Sequence, residues 1–372
     1  MKLIGARVAV GPDETVRRDL DLRGSRATFD LRGYIILPGL VNAHDHLEFN
    51  LYPRLGRGPY ANAGEWARDV YHPDRPPISD QRKISKSTRL IWGGLKNLLC
   101  GVTTVCHHNP MEFAIFDRNF PVRVVKQFGW AHSLEFSPDL AVRFRNTPAD
   151  WPFVVHLGEG TDRIAQREIF KLDELGALDG RTILVHAVGL TRAGLALARR
   201  RNASVVWCPS SNEFLLRQTL DAKVRCSGIQ IALGSDSAVT AEGDLLDELR
   251  IARDHGASAE ELYRMVTDIP ARMLRLPDRA GDLAIFRDIG ATPAETLLSG
   301  RGPEMVLIDG RIKLISPSLA TPAPFTRLKV SGRKAVLVDA DVPGLYRRAQ
   351  RVLGTVSLAG RRVTASDSLE RI

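Results

Sequence analysis

The chain has 372 residues, with 52 Lys and Arg against 43 Asp and Glu and a formal net charge of +9. It is 44% apolar and 26% charged, with 31 Gly and 21 Pro, which excludes a collagen-like, coiled-coil or mainly disordered chain. No apolar run approaches the roughly 20 residues of a membrane-spanning helix, and the opening MKLIGARVAVGPDE reads as a strand rather than a signal peptide.

Residues 1–36 alternate in short β-like runs, and AIFRD, EMVLIDGRIKLI and LKVSGRKAVLVDA near the other end read the same way. Between them, apolar runs alternate with helical patterns, as repeated βα units do. The runs are YIILPGLVNAHDH (34–46), GVTTV (101–105), PVRVVKQFGW (121–130), PFVVH (152–156), TILVH (182–186), ASVVWC (203–208) and IQIALGS (229–235). They make seven strands, with an eighth expected in AHSLEF (131–136). Helix-like stretches such as ISKSTRLIWGGLKNLLCG and DLLDELRIARDHG fall between, and Thr191 and Asp244 stand where helix caps belong. The expected fold is α/β, a (β/α)8 barrel of about 250 residues with a small β domain built from both termini. The expected limits are 1–36 and 291–342 for the small domain, 37–290 for the barrel, and 343–372 for a terminal Arg-rich helix and tail.

The four cysteines (Cys100, Cys106, Cys208, Cys226) form no CxxC pair, as expected of reduced thiols in a cytosolic protein. The sequence pI is near 9.6. The arginines are scattered, however, and their densest groups (Arg199, Arg200, Arg201; Arg347, Arg348, Arg351) sit in helix-like segments. That pattern reads as a solvated basic face and not as a nucleic-acid surface.

Four apolar runs end in a metal-ligating residue type: His44 and His46, His156, His186 and Asp236. In a barrel of parallel strands the C-terminal strand ends converge on one mouth. Side chains two apart on a strand share a face, so His44 and His46 point at one place. Imidazole nitrogen and carboxylate oxygen suit zinc, and also iron or manganese. One His on a buried strand is ordinarily a hydrogen-bonded core residue, but a packed core has no reason to end four strands with coordinating groups.

LPGLVNAHDHL, then HLGE, ILVHAVGL, CPSSN and LGSDS, resembles the amidohydrolase superfamily in motif order and spacing. Within it the chain is most similar to the branch of cytosine, adenosylhomocysteine and guanine deaminases that also holds the triazine chlorohydrolases. The resemblance implies a metal-containing (β/α)8 barrel with one divalent ion, zinc first, with iron or manganese as alternatives. It implies that His44, His46, His156 and Asp236 hold the ion, with His186 beside it as a ligand or as a donor to the water or substrate oxygen. Glu159, three residues after His156, takes the place of the family's proton shuttle, and Asp236 also accepts the proton of the attacking water. Ser235 and Ser237 are placed to orient Asp236 or to cap the turn.

His107, His108 and Asn109 follow the GVTTVC strand and Ser211 and Asn212 follow another, all at the same mouth, and His107, His108, Ser211 and Asn212 are expected to contact substrate. Asn50, Tyr60, Glu65 and Trp66 lie in a long loop that covers the site in relatives. Lys126 is the one candidate for a carboxylated bridging lysine, with a barrel-wall position as its ordinary reading. Three features depart from the family. Gly189 stands where deaminases carry a second His or a Trp, and Asp45 separates the paired histidines where Thr, Ser or Cys is common. Only about 25 residues precede His156 after the third strand, so the fourth βα unit is expected to be trimmed, with His132 and Glu135 as replacements in the pocket wall.

The resulting expectation is a cytosolic, metal-dependent hydrolase of C–N bonds other than peptide bonds, which deaminates a cyclic amidine or aminated heterocycle. Cyclic or acyl amide hydrolysis, as in imidazolonepropionase-like relatives, is the second reading, and a non-catalytic amidohydrolase-like scaffold the third. The expected partners are a small-molecule substrate and a second copy in a homodimer, with no nucleic acid and no membrane.

Overall fold

The computed structural model describes residues 1–22, 27–320 and 325–364. Eight short parallel strands position the site: β1 (Leu40–Asp45), β2 (Val102–His107), β3 (Arg123–Val124), β4 (Gly129–Ala131), β5 (Phe153–Leu157), β6 (Thr182–His186), β7 (Ser204–Trp207) and β8 (Ile231–Leu233). They pair as β1-β2-β3 and as β4-β5-β6-β7-β8, all parallel. Every residue of β1, β2, β5 and β6 is buried. Burial on both faces explains why these segments read as continuous apolar runs and not as alternation. Helices Lys86–Leu98, Leu140–Asn146, Arg163–Glu174, Arg192–Arg200 and Leu245–Asp254 intervene or follow, giving a TIM-barrel-like arrangement. Thr191 caps its helix by accepting from the Gly194 N–H, and Asp244 forms a capping box with Asp247.

The two strand sets meet at their C-terminal ends. The Ser235 and Asp236 N–H groups each donate to the His44 carbonyl at 3.1 Å, which ties the exit of β8 to β1. Glycine is required at 234, where a Cβ would lie 2.7 Å from His44 Cβ. On the other side, His108 Nε2 donates to the Ala131 carbonyl at 3.0 Å, linking the exit of β2 to β4.

A ten-stranded sheet combines Arg7–Ala9, Thr15–Arg17 and Tyr34–Pro38 with strands from Leu283–Arg287 onward. Tyr34–Pro38 pairs antiparallel with Leu283–Arg287, so the small sheet already begins before the expected barrel limit at 290. The run 34–46 is therefore two strands of different sheets, separated at Gly39. There, a Cβ would lie 2.3 Å from the Thr103 hydroxyl oxygen.

The run 121–130 is also two strands, β3 and β4, and 132–136 is turn, not strand. Residues 125–128 join β3 to β4 without a helix, while Leu140–Asn146 follows β4. The shortening therefore falls on the third unit, not the fourth: one apolar stretch holds two strands with no amphipathic segment between them to fold as a helix. After helix Val342–Leu353 the chain returns as Ser357–Leu358 and Arg361–Thr364, which extend the sheet beside Thr326–Val330. The rest of the expected tail, 365–372, lies outside the described residues. Among the described residues, no helix is long and apolar enough to cross a membrane.

Gly234→Ala forces the exit of β8 off β1 and is expected to destabilise the fold by about 1–3 kcal/mol, as overpacking does. Urea unfolding of the variant against the parent checks this.

Candidate active site

The structure brings His44, His46, His156, His186 and Asp236 to one buried point. His156 Nε2 lies 3.4 Å from His46 Nε2 and 3.3 Å from His44 Nε2. Asp236 Oδ1 is 3.7 Å from the Nε2 of both His44 and His46. Hydrogen bonds on the far side of three of the rings fix their tautomers. His46 Nδ1 donates to Asn109 Oδ1 at 3.1 Å, His156 Nδ1 to the His132 carbonyl at 2.8 Å, and His186 Nδ1 to Asn212 Oδ1 at 2.8 Å. The Nε2 of each of these three is thus left with a lone pair, while His44 Nδ1 is buried with no hydrogen-bond partner among the described residues. His46 and His156 direct these lone pairs at one another, and His186 Nε2 is buried with no hydrogen-bond partner. Burial, followed by the neighbouring imidazoles, holds His44 and His156 well below the usual imidazole range, and burial lowers His186 as well.

Neutral imidazoles with facing lone pairs and a carboxylate beside them fit a divalent cation of zinc type. Without one, these buried acceptors face each other unpaired. The tautomer of His186 makes its Nε2 a ligand or an acceptor, not a donor.

Burial pushes Asp236 up, but His46, His186 and hydrogen bonds from Ser211 and Thr240 outweigh it and hold the carboxyl below its ordinary value. Ser211 Oγ and Thr240 Oγ1 donate to Oδ2 at 2.7 and 3.0 Å, and the Ser237 N–H donates to Oδ1 at 2.9 Å. Glu159 behaves oppositely: burial first, then the field of Asp236, pushes its carboxyl well above the usual range. Its Oε1 stands 3.5 Å from His186 Nε2. Two carboxyls in one site are thus driven apart, one to remain ionised and one to hold a proton, which is the signature of divided acid and base roles.

A cavity of about 550 Å³ opens onto His46, His156, Glu159, His186 and Asp236. Its outer walls are apolar, with Phe49, Tyr52, Leu55, Trp66, Tyr71 and Val239 among them. Arg68 also lines it, but its guanidinium is paired with Glu135 at 2.8 Å. His132 lines the wall with its Nδ1 buried and unpartnered. Of the loop residues, Trp66 faces the cavity, with Nε1 donating to the Leu55 carbonyl. Tyr60 bonds Asp69, and Glu65 accepts from the Ala61 N–H.

The four residues expected to contact substrate stand behind the wall instead. His107 Nδ1 accepts from the Leu47 N–H, with Nε2 3.3 Å from Glu48. His108 bonds Ala131, Ser211 bonds Asp236, and Asn212 bonds His186. Ser211 and Asn212 lie in the helix Pro209–Leu216, which starts directly after β7 and turns their side chains back onto the strand ends. Lys126 is exposed and lies over the Phe116 ring, away from the cluster. At Gly189 a Cβ would lie 3.0 Å from the Gly160 carbonyl, so this close crossing leaves no room for a His or Trp.

Sequence reasoning placed Asn109 at the mouth but not its bond to His46, and it missed Thr240, which donates to Asp236. Also missed were Lys96 and Asn97, buried polar residues on an otherwise apolar helix face.

Three comparisons bear on this geometry. Residues 150–312 match the model of the amidohydrolase family. The 5-methylthioadenosine/S-adenosylhomocysteine deaminase of Syntrophobacter fumaroxidans is 26% identical, over 96% of this chain and 89% of its own. Two solved structures share the fold. One is a zinc-bound adenosine deaminase from Xanthomonas campestris (TM-score 0.64, 18% identity, 94% of this chain and 97% of that one). The other is a zinc-bound atrazine chlorohydrolase from Arthrobacter aurescens (TM-score 0.64, 19% identity, 94% and 99%).

Asn212→Leu removes the acceptor that fixes His186 and is expected to cost about 10–100-fold in metal affinity or activity. Circular dichroism should remain that of the parent. With three histidine tautomers fixed around one buried point, the chain matches the amidohydrolase family model over residues 150–312 and is similar along nearly its whole length to the 5-methylthioadenosine/S-adenosylhomocysteine deaminase of Syntrophobacter fumaroxidans.

Proposed function

We propose that the protein is a hydrolytic deaminase of an uncharged aminated heterocycle carrying an apolar substituent. His44, His46, His156 and Asp236 would hold one divalent ion, zinc before iron or manganese, with His186 alongside. The eight parallel strands are, on this reading, the wall of one (β/α)8 barrel whose third helix is missing, and the protein acts in the cytosol on a small molecule. The observation that carries the proposal is the pair of carboxyls at the floor of one cavity, Asp236 Oδ1 3.7 Å from the His44 and His46 Nε2 atoms and Glu159 Oε1 3.5 Å from His186 Nε2, the first held below its ordinary pKa and the second pushed above it.

When bound, a divalent ion supplies Lewis acidity that brings the pKa of water from about 15.7 to near 7. Asp236, ionised and oriented by Ser211, Thr240 and the Ser237 N–H, accepts the proton that the attacking water gives up. The water oxygen bonds to the amidine carbon as Glu159 delivers its proton to the adjoining ring nitrogen. Collapse then breaks the exocyclic C–N bond. The amine leaves as ammonia, taking the proton held at Asp236, and the ring keeps a carbonyl. Glu159 recovers its proton from the hydroxyl left by the added water, which becomes that carbonyl, and the ring nitrogen keeps the proton it received.

The cavity wall supports the substrate's second feature. An amino-acid or phosphate tail placed against Phe49, Tyr52 and Leu55 would be desolvated without a partner, since Arg68, the only Lys or Arg among the described lining residues, is already paired with Glu135. A methylthio, alkyl or aryl group gains by the same burial. Of the two substrates in the name of the Syntrophobacter relative, the uncharged 5-methylthioadenosine fits this wall and the zwitterionic S-adenosylhomocysteine does not.

Ammonia release from adenosine, 5-methylthioadenosine, S-adenosylhomocysteine and an aminated triazine tests the proposal. Stoichiometric ammonia is expected, with the methylthio compound ahead of the zwitterionic one. Glu159→Gln should lower kcat by about 10²–10⁴-fold while still binding substrate. Opening of a cyclic amide with no ammonia from any aminated ring would contradict it.

A further inference from the structure

Lys96 is 2% exposed, on the buried face of the helix Lys86–Leu98. Its ammonium donates to Asn50 Oδ1 at 2.8 Å and to the backbone carbonyl of Asp236 at 3.1 Å, and lies 3.2 Å from Asp45 Oδ2. Three protons thus meet three acceptors. Asp45 is fully buried and turns away from the histidines. Its carboxylate accepts from Asn50 Nδ2 at 2.8 Å, Asn97 Nδ2 at 2.9 Å and Ser235 Oγ at 3.1 Å. The helix comes this close because of Gly93, where a Cβ would lie 2.2 Å from the Leu47 carbonyl oxygen. Lys96 follows three residues later on the same helix face.

The carbonyl that Lys96 holds belongs to a strained residue. Asp236 has φ +47°, in the left-handed region that non-glycine residues seldom occupy. Such a conformation persists only where its surroundings over-determine it. Here the Asp236 N–H is fixed on the His44 carbonyl at 3.1 Å, and its own carbonyl accepts from the Lys96 ammonium at 3.1 Å, with a longer bond from Ser235 Oγ at 3.4 Å. One ammonium therefore joins the residue between the paired histidines to the aspartate across the cluster.

We propose that Lys96 is a positioning residue: bridging the Asp45 carboxylate and the Asp236 carbonyl, it holds the exits of β1 and β8 at the spacing a metal ion requires. The proposal rests on the metal reading above. A buried lysine that served only to neutralise Asp45 would not need the Asp236 carbonyl, and the two roles separate experimentally.

Zinc affinity is measured by competition with a chromophoric chelator for the parent, Lys96→Met and the charge-neutral pair Lys96→Met with Asp45→Asn, alongside thermal unfolding of each. Lys96→Met is expected to lose 10–100-fold in zinc affinity, the range for groups that orient ligands. The paired variant should regain thermal stability without regaining zinc affinity, because the Asp236 carbonyl keeps only the long bond from Ser235 Oγ. If Lys96→Met fails to fold, the paired variant decides. Parental zinc affinity in the paired variant would overturn the proposal. A parent protein that takes up no zinc would overturn the metal reading instead.

Discussion

The structure depends on a set of imidazole lone pairs directed at one buried point. Three of the rings, His46, His156 and His186, have their far nitrogen committed, to Asn109, to the His132 carbonyl and to Asn212, so their near nitrogens have no proton to offer. Such an arrangement is unfavourable without a cation and strongly favourable with one. The surrounding architecture serves that point. Parallel strands deliver their C-terminal ends to it, Gly234 lets β8 lie against His44, and burial keeps His44, His156 and His186 neutral.

Around the same point, two carboxyls of similar intrinsic acidity are pulled in opposite directions. Asp236 is offset against burial by imidazoles and by two hydroxyl donors, whereas Glu159 lacks such donors and feels Asp236 as a like charge. The division of labour is thus set by hydrogen-bond supply and not by residue type. A second, outer network performs the corresponding task for the backbone. Asp45, Lys96, Asn50, Asn97 and Ser235 stitch a helix to two strand exits, out of contact with the cavity.

The metal-ligating residue types were legible in the sequence because parallel strands buried on both faces read as apolar runs, and a polar residue ending such a run stands out. The helix caps at Thr191 and Asp244 were legible for the same kind of local reason. Legibility failed where one apolar run covered two elements. The run 34–46 crosses between sheets at Gly39, and 121–130 folds as two strands joined without a helix, which hydrophobicity alone does not distinguish. It failed also for direction. His107, His108, Ser211 and Asn212 were placed at the correct mouth, but the helix beginning at Pro209 and the bonds to Leu47 and Ala131 turn them behind the wall. Lys96 was invisible because a lysine in an amphipathic helix ordinarily faces water, and only the close approach at Gly93 buries it.

The most direct measurement is metal content per chain, on protein purified with neither added metal nor chelator, for the parent and for His156→Ala. The account requires about one equivalent of zinc or iron in the parent, as in a mononuclear catalytic site, and its loss in the variant. No metal in the parent, with none taken up on reconstitution, would contradict it.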